Sequence, residues 1–126
     1  ESLSGAIRLK ELLPFADEIV IARGDLGNSM PLWQLPAAQK RIARICKEAG
    51  KPFMVVTQLL DSMGHSAVPT RAEVSDIFNA VLDGASSLMV TGETAAGKFP
   101  QAVCRYLVKT AEEALLFQGR DSMREL

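Results

Sequence analysis

The sequence predicts an α/β fold built on a parallel β-sheet, and three observations lead to this prediction. Helical and strand-like segments alternate along the chain, as they do in consecutive βα units. Each of the three strand segments contains a continuous apolar run, which is typical of strands that are covered on both faces. With 126 residues, of which 48% are hydrophobic, the chain has the length and composition of one globular domain.

A leading helix and a first strand open the chain. Ser2 or Ser4 is suited to cap this helix, and Pro14 stops it. Its apolar positions are Ile7, Leu9, Leu12 and Leu13. The β-branched run at residues 18–22 then predicts a strand that enters a glycine-bearing loop at residues 23–27.

A second helix and a second strand follow. Pro36 is favourable in the first turn of a helix, and Gly50 closes the segment. The predicted buried face of this helix consists of Ala38, Ile42, Ile45 and Ala49. The apolar run at residues 52–56 predicts a buried strand, after which Thr57 and Gln58 are polar.

The last two helices flank a third strand. Thr70 and Glu73 have the spacing of a capping box, in which each side chain accepts the backbone N–H of the other residue. Gly84 ends that helix, residues 87–90 predict the third strand, and Pro100 begins the last helix. The inner faces of the two helices are Val74, Ile77, Phe78 and Val81 in the first and Val103, Leu107, Ala111 and Ala114 in the second.

The length of the chain indicates a partial barrel. A (β/α)8 TIM barrel uses about 250 residues, so each βα unit takes roughly 31 residues and this chain supplies about four units. Three βα units plus a leading helix agree with that number, and we assign residues 1–117 to this domain. The polar tail, residues 118–126, is expected to fray. Because Glu1 is not preceded by a methionine or a charged leader, we expect no signal peptide and a start that is a cut inside a longer sequence.

The composition excludes several classes of function. The formal net charge is −1, so no basic excess attracts nucleic acid or anionic lipid. No apolar run approaches the ~20 residues that a membrane-spanning helix needs. Cys46 and Cys104 lie in helical apolar patterns and match no zinc-ligand spacing, so we expect two buried free thiols in a reducing compartment.

Small or polar residues follow each predicted strand at its carboxyl end, where parallel α/β folds place their chemistry. Asp25 lies between two glycines, and exposed amides beside a carboxylate suit an anion bridged to a divalent cation. Thr57 and Thr91 each offer a hydroxyl, and Arg23 is a candidate to pair with a phosphate or with Glu1. The alternative interpretation is that these residues are only polar loop starts and helix caps.

Five segments, at residues 21–27, 57–63, 69–76, 80–85 and 91–98, resemble the pyruvate kinase family, in the order of that family and over about residues 15–110. The resemblance implies that the chain is the last half of the catalytic TIM barrel, with strands six to eight. It also implies glycolytic phosphoryl transfer between phosphoenolpyruvate and ADP, giving pyruvate and ATP, in a cytoplasmic homo-oligomer. The implied cofactors are Mg²⁺ or Mn²⁺, and K⁺ with its ligands outside this chain.

The resemblance also implies roles for individual residues. Asp25 matches the aspartate that binds the divalent metal, and Glu1 falls where the family has its second metal carboxylate. The turn whose amides hold the substrate carboxylate is matched by Ala22, Arg23 and Gly24. Thr57 matches the threonine beside the enolate carbon, implicated in substrate orientation and proton delivery. Thr91 replaces a common serine and keeps its hydroxyl as a second catalytic candidate.

Two other functions are weighed against this one. The first is a metal-dependent aldolase or lyase that acts on a pyruvate enolate, since such barrels also use a Glu and an Asp on successive strands. The second is a non-catalytic fragment or paralogue. Whatever its function, an open half-barrel is expected to self-associate through its two edge strands and a bare inner face, unless the leading helix folds across the opening. We predict that this inner face consists of Ile19, Ile21, Met54, Val56 and Met89.

Overall fold

The computed structural model describes the backbone of residues 1–124 and the side chains of residues 1–120. These residues form two compact units. The first unit consists of residues 1–57 and 83–89, and the second consists of residues 58–82 and 90–124.

The first unit contains the sheet and four helices. Its elements are α1 (Leu3–Ile7), α2 (Leu9–Leu12), β1 (Ile19–Ala22), α3 (Arg23–Asn28), α4 (Leu35–Glu48), β2 (Phe53–Val56) and β3 (Ser87–Met89). Single 3₁₀ turns lie at Leu13–Phe15 and Leu32–Gln34. Within the described residues the three strands form one parallel sheet in the order β1-β2-β3, which confirms the predicted α/β class with a parallel sheet.

The strand register divides the side chains of the sheet between two faces. One face carries Ile19, Ile21, Phe53, Val55 and Leu88, and the other carries Val20, Ala22, Met54, Val56, Ser87 and Met89. The inner face that we predicted is therefore wrong, because it combined residues of both faces. Ile21 and Val56 are also buried, whereas Val20 and Met89 are 45% and 41% exposed.

Helix α4 covers β1 with a stripe that differs from the predicted one. Its buried residues are Gln39, Ile42, Ala43, Ile45 and Cys46. Ala49 is exposed, because it lies beyond the last helical residue, where Gly50 turns the chain with a φ of 65°. Burial raises the pKa of the Cys46 thiol, since a thiolate is poorly solvated there.

The leading segment is not the single helix that we predicted. Ser2 caps α1 by accepting a hydrogen bond from Gly5 N at 3.2 Å, as expected, but Arg8 leaves helical geometry and separates α1 from α2. Leu9 and Leu13 are buried, whereas Ile7 and Leu12 are exposed. None of the residues of α1 is buried, so a single buried stripe does not continue through both segments.

The segment that follows β1 is a helix and not the loop that we predicted. Helix α3 contains two glycines, which are poor helix formers, so contacts with the rest of the fold stabilise it. Leu26 is buried in its middle, and Ser29 ends it by donating from both N and Oγ to Leu26 O, at 3.1 and 2.8 Å.

The second unit contains a 3₁₀ turn (Asp61–Gly64), α5 (Arg71–Leu82), α6 (Gly92–Ala95) and α7 (Pro100–Arg124). The capping box at the start of α5 is confirmed: Glu73 N donates to Thr70 Oγ1 at 3.1 Å, and Thr70 N donates to the Glu73 carboxylate at 2.8 Å. Helices α5 and α7 pack against each other, and the rings of Phe78 and Phe117 lie 5.6 Å apart.

The end of the chain lies in helix α7, which continues to Arg124, and residues 125–126 lie outside the described part. The fraying that we expect at residues 118–126 stays a prediction. Cys104 is exposed on α7, which contradicts its predicted burial, because its neighbour Val103 occupies the buried side of the helix. No helix within residues 1–124 is long and apolar enough to cross a membrane.

Candidate active site

The carboxyl end of β1 passes directly into the first turn of α3. Ala22 precedes the helix with φ −81° and ψ 88°, and Arg23, Gly24 and Asp25 form the first turn. The backbone N–H groups of a first turn have no acceptor inside their own helix. Asp25 is exposed there, so its carboxylate is accessible from solvent.

Thr57 follows β2 in a backbone conformation that threonine rarely adopts. Its φ is 78°, and that of Gln58 is 54°. A β-branched residue in this region is strained by about 1–3 kcal/mol, so surrounding contacts must hold it. The conformation directs Thr57 Oγ1 at Gly24 N, from which it accepts a hydrogen bond of 2.8 Å. The hydroxyl proton of Thr57 is not used in this bond and remains able to donate.

Arg23 clamps the end of β2. Its Nε donates to Val56 O at 3.2 Å, and its Nη2 donates to Thr57 O at 2.6 Å. The sequence had suggested a phosphate or Glu1 as the partner of this side chain. The structure adds a backbone role that the sequence did not predict, in which Arg23 fixes the two carbonyl groups around the strained residue.

A polar chain behind Arg23 was missed by the sequence analysis. Gln39 Oε1 accepts from Arg23 Nη1 at 3.4 Å, and Gln39 Nε2 donates to Asp83 Oδ2 at 3.3 Å. Lys40 Nζ contacts Asp83 Oδ1 at 2.6 Å. Gln39 is only 8% exposed and shares a stripe with Ile42. A polar residue at a helical spacing from buried ones was the signal that could have revealed this chain.

The two carboxylates assigned to metal differ in their surroundings. Glu1 lines a cavity of about 180 Å³ with Leu26 and Glu18, whereas Asp25 lies in the first turn of α3. Among residues 1–120, no three His, Cys, Asp or Glu side chains converge to hold a metal ion. Because Mg²⁺ keeps several waters and is usually bound through one or two carboxylates plus substrate oxygens, the assignment of Glu1 and Asp25 to a metal stays a prediction.

Thr91 lies in the second unit, before α6. It is exposed, its side chain makes no capping bond, and its carbonyl accepts from Thr94 N at 3.1 Å and Ala95 N at 2.9 Å. Its hydroxyl is therefore accessible. Two residues later Glu93 is buried at 3% exposure, and its Oε1 has no hydrogen-bond partner within the described residues.

Comparison with known proteins identifies the family. Residues 1–104 match the family model described as the barrel domain of pyruvate kinase, which is most of the chain. The chain belongs to the pyruvate kinase family. It is 50% identical over 106 residues to the pyruvate kinase of Methylorubrum extorquens and 48% identical over 107 residues to that of Thermotoga maritima.

These alignments use 84% and 85% of this chain but only 22% and 23% of the two pyruvate kinases, so the chain spans under a quarter of their length. A crystal structure of a pyruvate kinase from Cryptosporidium parvum superposes with a TM-score of 0.87 and 42% identity, covering 89% of this chain and 23% of that one. The resemblance to pyruvate kinase is thus confirmed, and the aldolase or lyase alternative has no support.

Proposed function

We propose that this chain provides part of a pyruvate kinase active site, which transfers a phosphoryl group from phosphoenolpyruvate to ADP in glycolysis. The observation that carries the proposal is the strained Thr57, whose hydroxyl caps Gly24 one residue before the exposed carboxylate of Asp25. Strained backbone of this kind is concentrated at functional sites. Family membership supports the same reaction.

We further propose that β1, β2 and β3 are strands six to eight of a (β/α)8 TIM barrel. Three parallel strands in chain order are what consecutive βα units of such a barrel produce. The superposition on a pyruvate kinase of much greater length supports this placement. The assigned polar groups then follow strands at the end of the barrel where such enzymes hold their substrates.

The chemistry of the proposed reaction gives a role to each of the assigned side chains and backbone amides. The phosphorus–oxygen bond of phosphoenolpyruvate breaks, the phosphoryl group is bonded to a terminal oxygen of ADP, and the enolate left behind takes a proton to give pyruvate. Thr57 orients the substrate, and its hydroxyl passes a proton to the enolate carbon while it takes up another proton from water, so that the hydroxyl is restored. Thr91 offers a second hydroxyl. Gly24 N already donates to Thr57, so the substrate carboxylate would bind to the other backbone amides of Ala22–Asp25, beside Arg23.

Glu1 and Asp25 would hold Mg²⁺ or Mn²⁺, and K⁺ would be held by residues outside this chain. A divalent ion supplies charge neutralisation between the substrate and the transferred phosphoryl group. Asp25 is exposed, and the accessible first turn leaves room for the oxygens of a ligand. The rest of the proposal is a cytoplasmic enzyme that forms homo-oligomers and binds neither nucleic acid nor membrane.

A chimaeric enzyme tests this function. The segment of Thermotoga maritima pyruvate kinase that aligns with this chain is replaced by the present sequence, and pyruvate formation is followed in a coupled assay. We expect turnover, and we expect Asp25→Asn to lower kcat/KM at least a hundredfold while the far-ultraviolet circular dichroism is unchanged. Asp17→Asn is the matched control, because Asp17 is exposed and has no assigned role.

Two results would contradict the proposal. The first is a folded chimaera without turnover, which would favour a non-catalytic member of the family. The second is Asp25→Asn with the activity and the Mn²⁺ affinity of Asp17→Asn. The 126-residue chain alone is expected to show no turnover, because phosphoryl transfer depends on positioning and the chain covers under a quarter of its relatives.

A further inference from the structure

A continuous polar chain links the surface of the first unit to Thr57. It begins at Lys40, which is exposed, and passes through Asp83, whose side chain is 9% exposed, to the buried Gln39. From Gln39 it continues to the guanidinium of Arg23, which holds Thr57 O at 2.6 Å. No other group in this chain of contacts is both uncharged and buried, so Gln39 is its central link.

The chemistry of the two neighbours explains why an amide stands at this position. The guanidinium of Arg23 can only donate hydrogen bonds, and the carboxylate of Asp83 can only accept them. A side chain between them must therefore accept at one end and donate at the other, as Gln39 does with Oε1 and Nε2. An apolar residue would leave both charged partners without this contact in a poorly hydrated place, which is costly.

The backbone conformation of Thr57 depends on the hydrogen bonds that the Arg23 guanidinium donates. Its φ of 78° is unfavourable by itself, and the guanidinium stabilises it by binding the carbonyl groups on both sides of the strained torsion, Val56 O and Thr57 O. If the guanidinium turns away, Thr57 can relax to a negative φ. Its hydroxyl then leaves Gly24 N, and the first turn of α3 loses that acceptor.

We propose that Gln39 is a positioning residue, which holds Arg23 and through it keeps Thr57 in the strained conformation with its hydroxyl on Gly24. The Lys40–Asp83 ion pair anchors the other end of Gln39. The catalytic part of this inference rests on the function proposed above, because it concerns the hydroxyl to which proton delivery is assigned. The structural part does not depend on that function.

Amide hydrogen exchange in the 126-residue chain tests the structural part. In Gln39→Met, which keeps the length of the side chain without its polar ends, we expect the Gly24 amide to exchange at least tenfold faster. The Val55 amide, in the middle of β2, should change less than twofold. Gln34→Met is the control, because Gln34 is exposed and its side chain makes no hydrogen bond within the described residues. Equal acceleration at Gly24 and Val55, or none at Gly24, would overturn the proposal.

A second variant covers the case in which Gln39→Met does not fold. Asp83→Asn preserves size and keeps one oxygen for Gln39 Nε2 but removes the charge that pairs with Lys40. We expect it to accelerate Gly24 exchange at least threefold, in the same direction. An unchanged Gly24 amide in a folded Asp83→Asn chain would equally overturn the proposal.

Kinetics of the chimaera test the catalytic part. Gln39→Met should lower kcat about tenfold and leave KM for phosphoenolpyruvate within twofold, because it disturbs the proton donor more than binding; Gln34→Met should change neither. An increase in KM with unchanged kcat would overturn this part. An inactive parent chimaera would count against the proposed function alone, since the exchange data would still decide the role of Gln39.

Discussion

Among the polar side chains of the second unit, that of Glu73 is the one whose removal should lower the free energy of unfolding most. Its carboxylate accepts four hydrogen bonds: from Thr70 N at 2.8 Å, from Thr70 Oγ1 at 3.0 Å, from Ser62 N at 2.8 Å and from the Ser62 hydroxyl. These bonds join the segment before α5 to the first turn of that helix. The carboxylate thus holds both ends of the connection between residues 62 and 70.

We expect Glu73→Ala to destabilise the chain by about 2–3 kcal/mol. Loss of a helix cap costs about 0.5–2 kcal/mol, and hydrogen bonds to a charged group contribute about 1.5–3 kcal/mol, less where water reaches them. For a chain of this length the change lowers the melting midpoint by roughly 8–12 °C. Circular dichroism at 222 nm measures it, with Glu113→Ala on the exposed side of α7 as the control. Midpoints of the two variants within about 2 °C of each other would refute the reasoning.

The stabilisation by Glu73 should also depend on pH. Burial tends to raise the pKa of Glu73, but the bonds from Ser62 and Thr70 more than offset it, so the pKa is lowered. The folded chain therefore binds this proton less tightly than the unfolded chain. The contribution is complete above the unfolded value of about 4.3 and is lost as the pH falls through the lower folded value. The difference in melting midpoint between the parent and Glu73→Ala should shrink over that range.

Three further results are expected from the structure. Gly97→Ala should unfold the second unit or destabilise it by about 3 kcal/mol or more, because a Cβ at this position would lie 2.1 Å from Glu93 O. In the control Gly92→Ala the added Cβ meets no atom within 4 Å, so this variant should be destabilised much less. Thermal melts of the two variants measure the difference. Gln58→Gly should raise the melting midpoint by relieving a φ of 54°, worth about 1 kcal/mol. The chain should self-associate, and Val20→Glu on the edge strand β1 should weaken the self-association. Sedimentation over a wide dilution range measures it, and a parent chain that is as fully monomeric as the Val20→Glu variant would disprove the prediction.

Some elements could be predicted because their causes are local. The strands at residues 19–22, 53–56 and 87–89 were identified from continuous apolar runs, and each observed strand lies inside its predicted range. The capping box of Thr70 and Glu73 was predicted from a three-residue spacing alone. Such features involve neighbouring residues only, so the sequence contains all the information that they need.

Other features could not be predicted because they depend on distant residues. The short helix α3 forms although it contains two glycines, because Leu26 is buried and Thr57 supplies an acceptor for Gly24 N. The division of strand side chains between two faces follows from the register, which no single strand determines. The link through Gln39 joins residues that are 16 and 44 positions away, to Arg23 and Asp83.

The bond between Thr57 and Gly24 has a consequence for the order of folding. The two residues are 33 positions apart, so the bond cannot form before β1 and β2 have paired and closed that loop. A six-residue helix with two glycines does not nucleate by itself. Helix α3 should therefore consolidate late, after the strands, whereas α4 can begin to form locally. In folding kinetics, substitutions in α3 should mainly accelerate unfolding and leave the folding rate nearly unchanged.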